Sequence, residues 1–256
     1  MSGSPGPASV VLTGRPDGTT ALAVDVLRDL PPEFRLIGGL AVLCRVGVPH
    51  RATVDLDALA RDLERFDDDL DRLALSSAGG GQYRMPGDLE LDVIDVSPTD
   101  ADRLASELAA AGAVTDLELN LVAHTWAHDT ATGVDITVVA DDSGALLSRA
   151  PGRLVASSGG LVAMKAATVP LRASSRPEKR ASDLYDLGRL VAETSGAREV
   201  LTSPPLLVTA VVSRLQAWFV DPRGRDRTFR EVRRFDEVTL DLDEVAEVVL
   251  DLAPAG

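Results

Sequence analysis

The sequence predicts an α/β (α+β) fold: a small mixed-sheet domain over residues 1–145, followed by a mostly helical region over 146–256. Two observations predict it. Strand-like and helical segments alternate up to about residue 145, the order that builds a sheet covered by helices. Beyond residue 158 apolar residues recur at helical spacing, and Pro177 and Gly196 stand where a helix would begin and end.

Each element has a local reason. The opening "MSGSPGPASV" is uncharged and rich in Ser, Gly and Pro, which suggests a mobile tail over residues 1–10. "TTALAVDVLRDL" (19–30) reads as a helix that Thr19 or Thr20 could cap and that Pro31 and Pro32 stop. "GGLAVLCRVG" (38–47) suits a short apolar helix opening on glycines. "TVDLDALA" (53–60) alternates apolar and polar side chains as a half-buried strand does, and charged "RDLERFDDDLDRL" (61–73) has apolar residues near helical spacing. After a Gly-rich loop (76–88), "LELDVIDV" (89–96) is a second strong strand. "TDADRLASELAAAG" (99–112) is an amphipathic helix ending on glycine. "LELNLVAHTWAH" (117–128) and "GVDITVVA" (133–140) read as a β-hairpin around "DTAT".

The second half offers helices at 159–169, 178–196 and 204–220, a basic stretch "RGRDRTFREVRRF" (223–235), a strand-like "VTLDL" and a last helix at 243–252.

Bulk properties narrow the function. At 256 residues and 45% hydrophobic, the chain can bury one large core or two small ones. A net charge of −14 argues against a broad basic surface for duplex nucleic acid. No apolar run reaches the roughly 18–20 residues that span a bilayer, and no signal peptide is evident. The single Cys44 has no partner for an internal disulfide and sits in an apolar segment, which suits core packing and the cytoplasm. Only two residues, Lys165 and Lys179, supply lysine against 24 arginines.

Asp55 and Asp57 are the first candidate for chemistry. On a strand, residues i and i+2 face one way, so the two carboxylates share a side. Bare carboxylates that close repel unless a cation lies between them, and Mg²⁺ held by carboxylates and substrate phosphates suits the pair. A solvated strand face is the ordinary alternative. Gly38-Gly39 before a helix would let backbone N–H groups approach phosphate oxygens, although such a pair often marks only a turn.

The ordered string "LIGGLAVLCRVG…HRATVDLD" resembles the opening motif of the DNA polymerase β-like nucleotidyltransferase superfamily. Its R-x-T-x-D-x-D form is most similar to the AbiEii-type toxin nucleotidyltransferases. "GLVAMKAATVPLRASSRPEKRASDLYDLGRLV" (160–191) resembles that family's later motif, a lysine-bearing helix followed by a helix with a D-L-Y-D-L core. The resemblance implies that Gly38, Gly39, Arg51 and Thr53 hold an NTP, and that Asp55 and Asp57 bind Mg²⁺ or Mn²⁺. It implies that Lys165 contacts the phosphates and that Asp183 is a late catalytic or lysine-orienting acid, so that the helical region completes the active site. A third carboxylate is expected from a later strand: Asp92 is favoured, with Asp95 and Asp135 as rivals. Asp183 and Asp186, at i and i+3, share a helix face.

The expected activity is metal-dependent transfer of a nucleotide from an NTP to an acceptor, as in the toxin of a type IV toxin–antitoxin pair. tRNA is a candidate acceptor and a cognate antitoxin an expected partner. Nucleotidylation of an aminoglycoside-like small molecule, or a non-catalytic binding module of the same fold, is the alternative. His124 and His128 have metal-like i, i+4 spacing only in a helix, and on a hairpin they read as surface residues. Arg223–Arg234, extended by Arg172, Arg176, Lys179 and Arg180, is either a solvated basic helix paired with acids or a docking surface for RNA phosphates.

Overall fold

The computed structural model describes residues 8–47, 55–172, 176–235 and 240–252. Contacts divide the chain into two compact units, residues 1–96 with 131–156 and residues 97–130 with 157–256. The expected boundary near residue 145 would separate the strand that starts at Leu146 from the sheet, whereas its contacts place it within the sheet unit.

The first unit is built on one mixed sheet. In chain order it contains β1 (Ala8–Gly14), α1 (Thr19–Asp29), β2 (Arg35–Ile37), α2 (Gly38–Val46), β3 (Asp55–Ala60), α3 (Asp67–Leu73), β4 (Ser76–Gly79), β5 (Gln82–Arg84), β6 (Glu90–Asp95), β7 (Thr132–Ala140) and β8 (Leu146–Val155). The eight strands run in the order β1-β7-β8-β2-β3-β6-β5-β4. β1 is parallel to β7, β2 to β8 and β3 to β6, and the remaining neighbours are antiparallel.

The mobile-tail expectation gives way at Ala8. Val10 and Leu12 are buried, and β1 pairs with β7 through Gly14. Thr19 and Thr20 are the first residues inside α1, and Gly18 occupies the cap position. Val24 and Leu27 of α1 join Phe34, Leu36, Leu56, Ala58 and Leu91 in the core. Phe34 meets Phe66 edge to face at 5.0 Å.

The second unit is helical. Its elements are α4 (Ala101–Ala111), α5 (Asp116–Asp129), α6 (Ser158–Arg172), α7 (Pro177–Glu193), short α8 (Gly196–Glu199), α9 (Pro205–Leu215), α10 (Pro222–Val232) and α11 (Leu242–Leu250). Residues 216–220 follow α9 as a π turn, which ends the expected 204–220 helix early. Of the strand-like "VTLDL" (238–242), Val238 and Thr239 lie outside the described residues, while Asp241 caps α11 and Leu242 is its first residue.

The hairpin expected at 117–128 is a helix. The "LELNLV" alternation is overridden by a capping box at Thr115: the Glu118 carboxylate accepts from the Thr115 N–H at 2.8 Å, and the Glu118 N–H reaches Thr115 Oγ1 at 3.3 Å. Leu119, Val122, Ala123, Trp126 and Ala127 then fall on one buried face at helical spacing. α6 packs against that face through a glycine, since a Cβ on Gly160 would stand 2.8 Å from the Ala127 Cα. Gly160, of the Gly159-Gly160 pair, therefore serves close helix packing.

Candidate functional site

β2 feeds directly into α2, and the register sets Ile37 opposite Asp57 on β3. Gly38, the next residue, has φ +70, and a Cβ on it would lie 2.7 Å from the Asp57 Cγ. A side chain there would meet both a strained backbone and the carboxylate. Gly39 is the buried second residue of α2, whose cap residue Ile37 contributes no side-chain hydrogen bond. The first turn of α2 is thus brought against an acid by the one residue type that fits. Arg51 and Thr53 lie outside the described residues.

Asp55 and Asp57 share one side of β3, while Leu56 and Ala58 point into the core. In the parallel pairing with β6, Asp57 is in register with Asp92 and Asp55 with Glu90; β5 then sets Gln82 beside Asp92. Adjacent strands are about 4.8 Å apart, so Asp57 and Asp92 are immediate neighbours on one face. Asp55, Asp57 and Asp92 are all half-buried.

The two rival acids stand elsewhere. Asp95 pairs with Ala60 and accepts the Leu63 N–H at 3.2 Å. Asp135, on β7, is three strands from β3 and accepts the Gly152 N–H at 2.6 Å. A cavity of about 510 Å³ opens on Asp92, lined also by Ser76, Gln82, Arg84, Asp88 and Glu90.

These donors fit a hard cation. Carboxylate oxygens suit Mg²⁺ or Mn²⁺, and Mg²⁺ is commonly held by one or two carboxylates together with substrate phosphates and water. Among the described residues no three His, Cys, Asp or Glu side chains form a ready metal cage.

In the second unit, Lys165 on α6 points at α7. Its Nζ lies 2.9 Å from Asp183 Oδ1 and 2.8 Å from Asp186 Oδ2. Asp183 Oδ2 accepts from Arg172 Nη1 at 2.6 Å. Lys165, Asp183 and Asp186 are buried, Asp186 completely. Two cations and two carboxylates thus balance in a setting where an uncompensated charge would be costly.

Residues 21–247 match the family described as "Nucleotidyl transferase AbiEii toxin, Type IV TA system". The chain belongs to that family. Among curated proteins none matches it. A solved structure to which it is similar is that of an antigenic nucleotidyltransferase-like protein from Paracoccidioides brasiliensis. The identity is 18%, over 90% of this chain and 89% of that one, with a TM-score of 0.35.

Two residues inside the 160–191 stretch to which the motif gave no catalytic role, Asp186 and Arg172, now have places. Asp186 holds Lys165 as closely as Asp183 does, a pairing foreshadowed by the D-x-x-D spacing. Arg172 lies seven residues after Lys165, two turns along the same helix face, and joins the cluster through Asp183.

His124 and His128 are on a helix and buried, so the expectation of surface residues fails. His124 Nδ1 donates to the Asn120 carbonyl at 2.7 Å, and His128 Nδ1 lies 3.2 Å from Asp129. Cys44 is buried as expected, with its thiol pushed up to about 12 by burial.

The basic stretch is largely committed to acids. Arg225 pairs with Asp243, Arg227 with Glu231 at 2.9 Å and Arg230 with Asp226 at 3.3 Å. Arg180 is buried against Glu231 at 2.9 Å. Arg176, Lys179 and Arg223 are exposed. No helix among the described residues is long and apolar enough to cross a membrane.

Proposed function

We propose that this chain is a Mg²⁺-dependent nucleotidyltransferase that transfers a nucleotide from an NTP to an acceptor hydroxyl, working in the cytoplasm as a toxin restrained by a cognate antitoxin. The observation that supports this best is Gly38 seated against Asp57, with Asp92 beside Asp57 in register. Asp55 and Asp57 would hold the cation, with Asp92 completing the carboxylate set. Mg²⁺ bound there, or Mn²⁺, supplies charge neutralisation at the phosphate oxygens.

Gly38, Gly39 and the start of α2 present backbone N–H groups to the triphosphate, with Arg51 and Thr53 assigned to the same task by the family motif. The acceptor oxygen attacks the α-phosphorus as its proton passes to Asp92. The bond from that phosphorus to the bridging oxygen of pyrophosphate breaks, and the electron pair leaves with pyrophosphate. Lys165, oriented by Asp183 and Asp186, stabilises the charge that collects on the leaving group. tRNA 3′ ends are the acceptor proposed first.

The cavity beside Asp92 favours a second reading of the acceptor. Asp88, Glu90 and Asp92 line it, and the one cation among its described lining residues, Arg84, is held by Asp88 at 2.8 Å. Such a lining suits an amine-bearing small molecule better than a phosphate.

The test is incubation with each labelled NTP, Mg²⁺ and either total tRNA or an aminoglycoside. Labelled tRNA, abolished by Asp57→Ala, supports the first acceptor, and a labelled aminoglycoside the second. No incorporation with any NTP, or incorporation unchanged by Asp57→Ala, overturns the enzyme reading.

A further inference from the structure

We infer that Arg172 is a second phosphate-binding cation of the helical unit, gripping the pyrophosphate end of the nucleotide next to Lys165. The inference rests on the nucleotidyltransferase reading and assigns a further residue to it.

The argument starts from charge. Lys165 alone between Asp183 and Asp186 would leave a surplus negative charge where a polyphosphate has to approach. Arg172 removes that surplus by taking Asp183 Oδ2 at 2.6 Å, while Asp183 Oδ1 serves Lys165 at 2.9 Å. Asp183 is therefore a shared acceptor, and each of its oxygens fixes one cation.

Exposure then separates the two cations. The Lys165 side chain is 9% exposed and the Asp186 side chain 0%, whereas the Arg172 side chain is 33% exposed. An anion arriving from solvent reaches the guanidinium without first opening the buried lysine pair. Guanidinium geometry suits the role, because its five N–H donors lie in a plane with separate edges. One edge can stay on the Asp183 carboxylate while another meets a phosphate bidentately, which a point-charge ammonium cannot do.

Local structure supports the placement. Arg172 is the last residue of α6, two turns beyond Lys165 on the same face. Both side chains leave α6 and converge on Asp183 of α7, so their heads are held near each other by one carboxylate. The ordinary alternative is that Arg172 only ties the end of α6 to α7. That role would affect stability and leave phosphate affinity alone.

Calorimetric titration with Mg²⁺-pyrophosphate and pyrophosphate inhibition of NTP turnover separate the two roles. In Arg172→Gln the pyrophosphate Kd and the KM for NTP should each rise about tenfold or more, and Arg172→Lys should recover only part of the loss because the fork is gone. Thermal unfolding of the unliganded variants tracks the structural contribution. Folded Arg172→Gln and Arg172→Lys with pyrophosphate affinity within about twofold of wild type overturn the inference, whatever their stability. If the wild type binds pyrophosphate in an Arg172-dependent way but transfers no nucleotide, this inference stands and the transferase reading fails. If the wild type transfers nucleotide in an Asp57-dependent way and Arg172 proves neutral, the reverse holds.

Discussion

Gly38 and Asp57 occupy positions that exclude a methyl group between them: a Cβ at Gly38 would lie 2.7 Å from the Asp57 Cγ, on a backbone with φ +70. Two penalties therefore coincide at one residue. Gly38→Ala should cost about 1–2 kcal/mol through its left-handed backbone alone, and it should also push the Asp57 carboxylate off its place. Urea denaturation and NTP turnover together check this. The expected result is a folded variant with turnover reduced far more than stability. Turnover equal to wild type would separate Gly38 from the reaction.

The same region shows what a sequence can and cannot reveal. α2 and β3 were readable because their signals are local: a glycine pair opens the helix and alternation marks the strand. "LELNLV" alternates like a strand, and the box that makes α5 a helix joins Thr115, ahead of the alternation, to Glu118 within it. β8 was missed because Pro151 and Gly152 interrupt it. The register shift between Val134 and Ile136 absorbs that break, and Asp135 accepts the Gly152 N–H.

Site residues divide the same way. Asp55 and Asp57 declare a shared face through their spacing. That Asp92 stands beside Asp57 while Asp95 and Asp135 do not follows from strand order and register, which no local pattern encodes. The bond between Arg172 and Asp183 joins two helices and is equally invisible in spacing.

Lys165 depends on Asp186 more than its motif suggests. Asp186 is fully buried 2.8 Å from Nζ, while Asp183 divides its charge between Lys165 and a partly exposed arginine. Asp186→Asn should destabilise the protein by about 3–5 kcal/mol, the range for breaking a buried pair. Asp183→Asn should cost less, because Arg172 can turn to solvent. Denaturant midpoints of the two variants test the order, and an Asp186→Asn protein as stable as wild type would show that the buried pair does not hold the helices together.

His124 should make stability depend on pH in a specific direction. The ring is buried, and burial is the largest influence lowering its pKa from 6.5; Arg172 lowers it further, while the Asn120 carbonyl and Asp183 act the other way. In the unfolded chain the imidazole takes up its proton near pH 6.5, whereas the folded ring does so only at lower pH. The unfolded state therefore binds more protons in that window, and stability rises with pH across it. The contribution is complete above about pH 6.5 and is lost as pH falls through the folded value. His124→Asn keeps an amide donor near Nδ1 for the Asn120 carbonyl and removes the titration. Its melting temperature should be lower at neutral pH, where the imidazole packs better, yet fall less steeply than that of the wild type between about pH 7 and pH 5. Parallel slopes for the two proteins would mean that the proton is taken up elsewhere.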